Sequence, residues 1–568
     1  MTEVAEILEV AVKHHQSGDL TGARQQYLLV LKSDPDNSTA LHSLGIIAYQ
    51  TGQYDSAFEL ISKAIEANPQ VPQFHNTLGA VYKALGKFEE AIEAYKKAIS
   101  LRPDFAEAYS NMGFVLQLLG WFEASAEKCR RAVKLNPSYA QAYNNLGLAL
   151  QAQEQIAEAI ENYTQALQIE PNYAQAYNNL GTALKSQGKF EDAIENYKHA
   201  IRLEPGFAET YNNLGRVLSA QGQIDKAIEN YRCALKLKPD YAGAHWNLSY
   251  ALLLRGRLIE GWEEFEWRRE PSLKFVTYPD CHQSQIWDGS TFAGKRLFVR
   301  SEQGLGDSIQ FIRYLPMVKA LGGTVIFESP KPLFNILQDF DAIDELVQAC
   351  PEVNSDVEYD FYVPLMSLPG IFATTLETIP ADLPYLYADP IKMEYWKDKF
   401  TEADFKVGIV WAGSPGYDND HNRSCALKHF TALAKIEGVK LYSLQKGNAA
   451  AQLDELPPNI TIHNFAEQLD DFTDTAAVIE NLDLVISVDT AVAHLAGAMG
   501  KPVFVLLPFV PEWRWLLNRD DSPWYPTMRL FRQEKWGDWD GVFARAAEQL
   551  RILTEKHNTE TSLANQTG

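Results

Sequence analysis

Three stretches of the 568-residue chain combine charged, hydroxyl and glycine residues at spacings suited to moving a group off a diphosphate. The first, Ser301-Glu302-Gln303-Gly304-Leu305-Gly306-Asp307-Ser308, follows a β-branched run and precedes an amphipathic one. Gly304 and Gly306 permit a tight turn that leaves Asp307 at a helix start, where the dipole favours a carboxylate. Asp307 is there either a general base facing a cleft or a helix cap, since aspartate serves both. The second stretch, Asp483 to Val503, delivers Asp489 and Thr490 to a helix start with His494 one turn on. Free amides at that start, with the Thr490 hydroxyl, form a diphosphate cradle, and Asp489 and His494 orient it or the sugar. The alternative for His494 is a satisfied packing histidine in a small-residue helix. The third stretch, Trp411-Ala412-Gly413-Ser414-Pro415, ends a strand in a turn where Gly413 and Ser414 let backbone approach a ligand, and the loop beyond presents Arg423. Gln445 and Lys446 end the next strand and complete the donor-binding candidates. Fixed cations and amide dipoles there meet a leaving diphosphate without Mg²⁺; for Arg423 and Lys446 the bland alternative is an ordinary surface charge.

Other chemistries are poorly served. Ile309 stands where a dinucleotide fingerprint needs its third glycine, and no GxxxxGK[ST] loop occurs. Asp418-Asn419-Asp420 and Asp538-Trp539-Asp540 imitate an acidic metal motif but close no strand, so no metal and no cofactor is expected. Trp513, Trp515, Trp524 and Tyr525 suit either a sugar or base pocket or packing between lobes.

These stretches need strand-to-helix junctions, and the second half supplies them. From Lys295, RLFVRS, DSIQFIRYLPMVKALG, TVIFES and KPLFNILQDF alternate strand and helix patterns. DFYVPLMSLPGIF offers a further strand, and the alternation restarts with KVGIVWAG, LKHFTALAKI, VKLYSLQ, TDTAAVIENL, DLVISVD, TAVAHLAGAMG and PVFVLLP. The reading is an α/β unit of two Rossmann-like lobes, 294–385 and 405–556, with a connector at 270–293, a linker at 386–404 and a polar, disordered tail at 557–568.

The first half has a different logic. Pro35, Pro69, Pro103, Pro137, Pro171, Pro205 and Pro239 recur every 34 residues. Gly45 to Gly215 form a second comb, Gly18 to Gly256 a third with one gap, and Ala64 to Ala234 a fourth. Each unit, such as Ala174 to Phe207, reads as two amphipathic helices around a glycine turn, stopped by proline. Seven units over 4–241 and a degenerate eighth at 242–269 make an α-helical solenoid over 1–269. The eighth has Ser249 and Gly261 in place of the usual glycine and alanine and adds Trp246, Trp262 and Trp267, which predicts docking on the second half.

Composition bounds the partners. With 51 basic and 74 acidic residues, a net charge of −23 disfavours nucleic acid. The N-terminus reads as an amphipathic helix rather than a signal peptide, and Pro502 to Pro511 is too short to span a bilayer. Five scattered cysteines outline neither a disulfide framework nor a zinc site, which makes a cytoplasmic location the simplest expectation. Oligomeric state is left open.

The repeats resemble the tetratricopeptide repeat, with Tyr177, Leu180, Gly181, Ala193, Tyr197, Ala200 and Pro205 at its signature positions. Asn111, Asn145, Asn179, Asn213 and Asn247 recur at the sixth position of successive first helices. This ladder resembles that of the O-linked N-acetylglucosamine transferase, which implies capture of an extended protein or peptide acceptor; otherwise it is an asparagine propagated by duplication. Thr39, Gln73, Glu107, Gln141, Gln175, Glu209 and Gly243 stand where a carboxylate clamp needs lysine. The second half resembles glycosyltransferase family 9, the heptosyltransferases, over about 295–535. That resemblance implies the GT-B fold, Asp307 as base, Asp489, Thr490 and His494 on a nucleotide-sugar donor, and Arg423, in place of the usual lysine, on the diphosphate. The first lobe is shorter than is usual in that family, and the repeat array is expected to supply the acceptor surface it lacks. The expected activity is metal-independent, inverting glycosyl transfer to a protein or peptide hydroxyl. The alternatives are a non-catalytic interaction scaffold and a glycan acceptor.

Overall fold

In the computed structural model, residues 2–273, 285–349, 357–400, 404–417 and 419–567 are described. Contacts divide the chain into two units, 1–217 and 218–568, with the boundary inside the helix Ala208–Ala220.

The first unit is the helical array, and its sequence combs correspond to separate packing constraints. First helices of 13 residues, such as Ser38–Gln50 and Ala174–Ser186, alternate with second helices of 14, such as Tyr54–Ala67 and Phe190–Leu203. The alanine comb from Ala64 to Ala200 has no exposed surface. Gly79, Gly147 and Gly181 admit the rings of Tyr95, Tyr163 and Tyr197, which a Cβ would meet at 2.6–2.8 Å. The third comb is left-handed: Gly18, Gly52, Gly86, Gly120 and Gly188 have φ between +74° and +82°, the helix-ending conformation that glycine adopts without strain. The gap in that comb falls on Glu154, which takes the same conformation at φ +62°. Glu154→Gly should therefore stabilise the array by about 1 kcal/mol, the left-handed penalty less the glycine's added unfolded-state entropy. A urea midpoint that fails to rise would contradict this.

The second unit begins with the last repeat helices, Ile224–Leu237, Ala242–Leu254 and Leu258–Phe265, and a 3₁₀ turn, Glu266–Arg269. Trp262 lies against Phe311 and Trp513 at ring distances of 6.5 and 5.3 Å, and its indole donates to the Thr374 carbonyl at 3.2 Å. Arg268 is buried and forks onto Glu302 at 2.7 and 3.1 Å. The degenerate repeat thus docks on the α/β lobes as expected. The array's packing boundary accordingly lies well before 269.

Two parallel sheets follow. The first contains β1 (Gln285–Ile286), β2 (Arg296–Arg300), β3 (Thr324–Ser329), β4 (Glu345–Gln348) and β5 (Phe361–Pro364), in the order β1-β5-β2-β3-β4. The second contains β6 (Phe405–Val410), β7 (Val439–Ser443), β8 (Ile462–Asn464), β9 (Leu484–Val488), β10 (Val503–Leu507) and β11 (Met528–Arg532), ordered β11-β10-β9-β6-β7-β8. β9, β10 and most of β6 are buried, as strands covered on both faces must be. In each sheet the order reverses beside the first strand of its lobe, β2 next to β5 and β6 next to β9. Ligands of doubly wound sheets bind at such a switch point, beyond the strands' C-terminal ends.

Several boundaries differ from the sequence reading. Part of the connector joins the first sheet as β1, a two-residue strand without a periodic signature; residues 274–284 lie outside the described ones. The linker carries the helix Pro390–Lys397, tied to the second lobe by Lys392 to Asp474 at 2.9 Å. The tail continues the helix Trp539–Thr567, because nothing from Lys556 to Thr567 breaks helix. LKHFTALAKI begins as a 3₁₀ helix, Leu427–Ala432, because Leu427, Phe430, Leu433 and Ile436 bury a face with period three.

Candidate active site

The strand β2 ends in a sharp turn: Gln303 takes φ +60°, an uncommon conformation for a residue with a Cβ. The short helix Leu305–Phe311 then starts at Gly304. Asp307 closes the turn by accepting the Gly304 amide at 2.8 Å through one carboxylate oxygen. The other oxygen meets the guanidinium of Arg514 from the second lobe.

β9 delivers Asp489 and Thr490 to the helix Ala491–Ala498. Thr490 shares a hydrogen bond with Ser487 at 2.8 Å and offers no side-chain cap, which leaves the amides at that helix start without one. His494 is buried, with Nδ1 3.0 Å from the Tyr525 hydroxyl and Nε2 3.7 Å from Asp489. Burial lowers the His494 pKa despite the neighbouring carboxylate. Burial also opposes ionisation of Asp489, yet the hydrogen bond and charge of His494, with Arg514, hold its carboxyl below the usual range.

The two motifs meet directly. A Cβ on Gly306 would lie 2.8 Å from His494 Cδ2 and 3.7 Å from Ala491 Cα. Glycine at 306 is therefore a condition for the helices that start at the two switch points to touch. Because His494 is buried and hydrogen-bonded, it has no room to yield. Gly306→Ala should cost about 1–3 kcal/mol of stability by overpacking, read as a lower denaturation midpoint; a neutral substitution would refute this contact.

Arg514 is the hub that sequence reading missed. Besides Asp307 it holds Glu512 at 2.8 Å and Gln310 through Nε. Glu512 is enclosed, and burial, with the charges of Asp489 and Asp307 and against the pull of Arg514, pushes its carboxyl up to about 7. Asp307, Glu512 and Asp489 in turn raise the Arg514 pKa against the effect of burial. The last repeat reaches this cluster as well: burial first, then the charge of Glu512, keeps the Tyr250 hydroxyl protonated. The signal available in the sequence was two opposite charges, Glu512 and Arg514, inside an otherwise aromatic run.

The remaining candidates line the loop after β6. The Arg423 guanidinium donates to Asp420 at 2.9 Å and lies 4.5 Å over the Tyr417 ring. The Gly413 amide is held by the Ser424 hydroxyl at 2.9 Å, and Ser414 is exposed. Gln445 is buried and braces this loop, accepting the Trp411 and Ala412 amides at 3.0 and 2.8 Å and donating to two carbonyls. Lys446 donates to the Leu469 carbonyl. Asp418 lies outside the described residues. Trp513, Trp515, Trp524 and Tyr525 are all buried, packing the core and the contact between lobes.

In the array, Asn145, Asn179 and Asn213 are buried and Asn111 is partly buried. Their amides donate to the preceding first helix: Asn111 to Asn76, Asn145 to Ser110, Asn179 to Asn144 and Asn213 to Asn178, at 2.9–3.1 Å. Asn247, in the second unit, is partly buried. Peptide capture by this ladder must compete with the bonds that tie repeat to repeat.

Residues 428–507 match glycosyltransferase family 9 (heptosyltransferase). Tetratricopeptide-repeat families match 81–120 with 215–256, 106–139, 138–203 and 196–229, and residues 27–98 match anaphase-promoting complex, cyclosome, subunit 3. Protein FlbA of Caulobacter vibrioides is 29% identical over 320 residues, 51% of this chain and 52% of that protein. The chain thus spans about half the length of the curated relative it matches. Among solved structures, the Cut9–Hcn1 hetero-tetramer of the anaphase-promoting complex is 20% identical with a TM-score of 0.40, over 43% of this chain and 48% of that one. MamA of Desulfovibrio magneticus RS-1 is 22% identical with a TM-score of 0.27, over 30% and 97%. Among the described residues no helix is long and apolar enough to cross a membrane. The chain thus carries tetratricopeptide repeats in its N-terminal part and, at 428–507, a segment that matches glycosyltransferase family 9.

Proposed function

We propose that the protein transfers a sugar from a nucleotide-diphosphate donor to a hydroxyl of a protein or peptide acceptor engaged by the repeats, with inversion and without a metal. The observation that carries this reading is that the two switch points adjoin: Arg514 pairs with Asp307, and Gly306 beside it abuts His494, which lies next to Asp489. In the proposed step Asp307 takes the acceptor hydroxyl's proton as the oxygen bonds to the anomeric carbon. The bond from that carbon to the diphosphate oxygen breaks, and the diphosphate leaves with the electron pair. Arg423 and the amides starting Ala491–Ala498 receive the growing negative charge. Gln445 acts by holding the β6 loop in place. Lys446 joins the diphosphate by exchanging its carbonyl partner.

One observation favours the scaffold alternative: Asp307 is already neutralised by Arg514, and a base needs that pair to open. A thermal-shift screen of the full chain against UDP-, GDP- and ADP-linked sugars separates the two. A donor at 100 times its Kd stabilises the protein by about 2.7 kcal/mol. A flat response to every donor would favour the scaffold.

A further inference from the structure

Beside the transferase cleft, the second unit holds a cavity of about 370 Å³ that none of the three motifs lines. Its floor is the C-terminal end of β1 and β5, at Ile286 and Pro364, where doubly wound sheets place their ligands. Its opposite wall is the degenerate repeat, through Ile259 and Trp262, with Trp287 and Ile371 closing the sides. The volume falls in the range of small-ligand pockets, and the lining is mainly apolar.

The wall is fixed rather than adaptable. Trp262 is anchored by its bond to the Thr374 carbonyl, and next to the pocket the buried Arg268 grips Glu302 and Ser367. Trp262 also packs on Trp513, over which the Arg514 guanidinium lies, so two indoles connect the cavity wall to the Asp307 cluster. Apolar surface is left open at the mouth: Ile259 is 41% exposed and Ile286 49%. The rim is charged. Glu266 and Arg269 pair with each other at 3.0 Å, while Glu263 is exposed and meets no cation among the described residues.

We propose that this cavity is an acceptor subsite, built jointly by the last repeat and the first lobe. It takes the apolar side chains that flank the reacting hydroxyl of a peptide, with a basic residue beside them facing Glu263. The inference rests on the transferase reading for its link to chemistry, but its peptide selectivity can be measured without turnover. A first lobe shorter than its family's would then be completed by the repeat that departs from its own consensus.

Two fluorescein-labelled peptides test this on the full chain by anisotropy. One has a serine flanked by leucine, phenylalanine and lysine, and its partner has alanine for the two apolar residues. The wild-type protein should bind the apolar peptide at least tenfold more tightly. Ile259→Arg and Ile286→Arg, both at exposed positions that tolerate charge, should abolish that preference, and Glu263→Gln should weaken the lysine-bearing peptide about threefold. The thermal shift given by nucleotide sugars should be unchanged in all three. Equal binding of the two peptides, no binding of either, or a preference that survives both arginine variants would overturn the subsite. Loss of every nucleotide response with the peptide preference intact would instead remove the transferase reading and leave a peptide site.

Discussion

Asp307→Asn is expected to reduce sugar transfer about 100- to 10,000-fold, the usual contribution of a positioned general base. Donor binding should stay within about twofold, because the substitution leaves the proposed diphosphate cradle on the other lobe intact. The geometry explains why asparagine is the informative choice. Its carbonyl oxygen can still accept the Gly304 amide, so the turn after β2 keeps its closure, while the capacity to take a proton and the negative charge paired with Arg514 are lost. Single-turnover kinetics beside calorimetric titration of the donor would separate the two effects. Undiminished turnover would show that Asp307 merely completes the turn, leaving Glu512 as the next carboxyl to test.

How much of this was legible in sequence depended on whether a physical constraint repeats. The glycine and alanine combs each answer to one demand, a left-handed helix end, a ring lying on bare backbone or a close helix crossing, and 34-residue spacing displays that demand again and again. Even the gap in the third comb was informative, since Glu154 bears the strain that glycine avoids elsewhere. Asp307, Asp489 and His494 were visible because strand-to-helix junctions with small residues mark switch points. Arg514 and Glu512 were not, because they lie after β10 in a segment with no period. Their importance comes from what the other lobe brings to them. The asparagine ladder shows a different limit: its spacing is legible, but the amide bonds that run between neighbouring repeats are not revealed by one helix read alone.

The degenerate eighth unit changes how the halves relate chemically. Its departures from consensus have partners on the lobes: Trp262 on Trp513 and Phe311, and, just beyond it, Arg268 on Glu302. Glu302 belongs to the same turn as Asp307, so the last repeat is joined through buried contacts to the strand end that positions the proposed base. A transferase half cut at residue 270 would lose Arg268 and leave Glu302 buried without its cation.

Arg514→Met should be the most damaging single substitution in the second unit, costing about 3–5 kcal/mol at pH 8, because removing one partner of a buried ion cluster leaves uncompensated charge. The loss must depend on pH. Glu512 has its folded pKa raised to about 7 from an ordinary 4.5, so its carboxyl favours the folded state fully below about 4.5 and loses that contribution as pH rises through 7. Without Arg514, the main group lowering its pKa is gone, and Asp307 and Asp489 lose the same cation. The folded state of the variant will hold protons that the unfolded chain has released, so its deficit relative to wild type should be largest above pH 7 and shrink towards pH 5. Urea unfolding at pH 5, 6.5 and 8 measures this directly. A deficit constant across that range would mean that Arg514 matters through packing against Trp513 and Phe311 rather than through charge. Glu512→Gln in the Arg514→Met background discriminates further: removing the titrating carboxyl should recover part of the lost stability at pH 8 and little at pH 5.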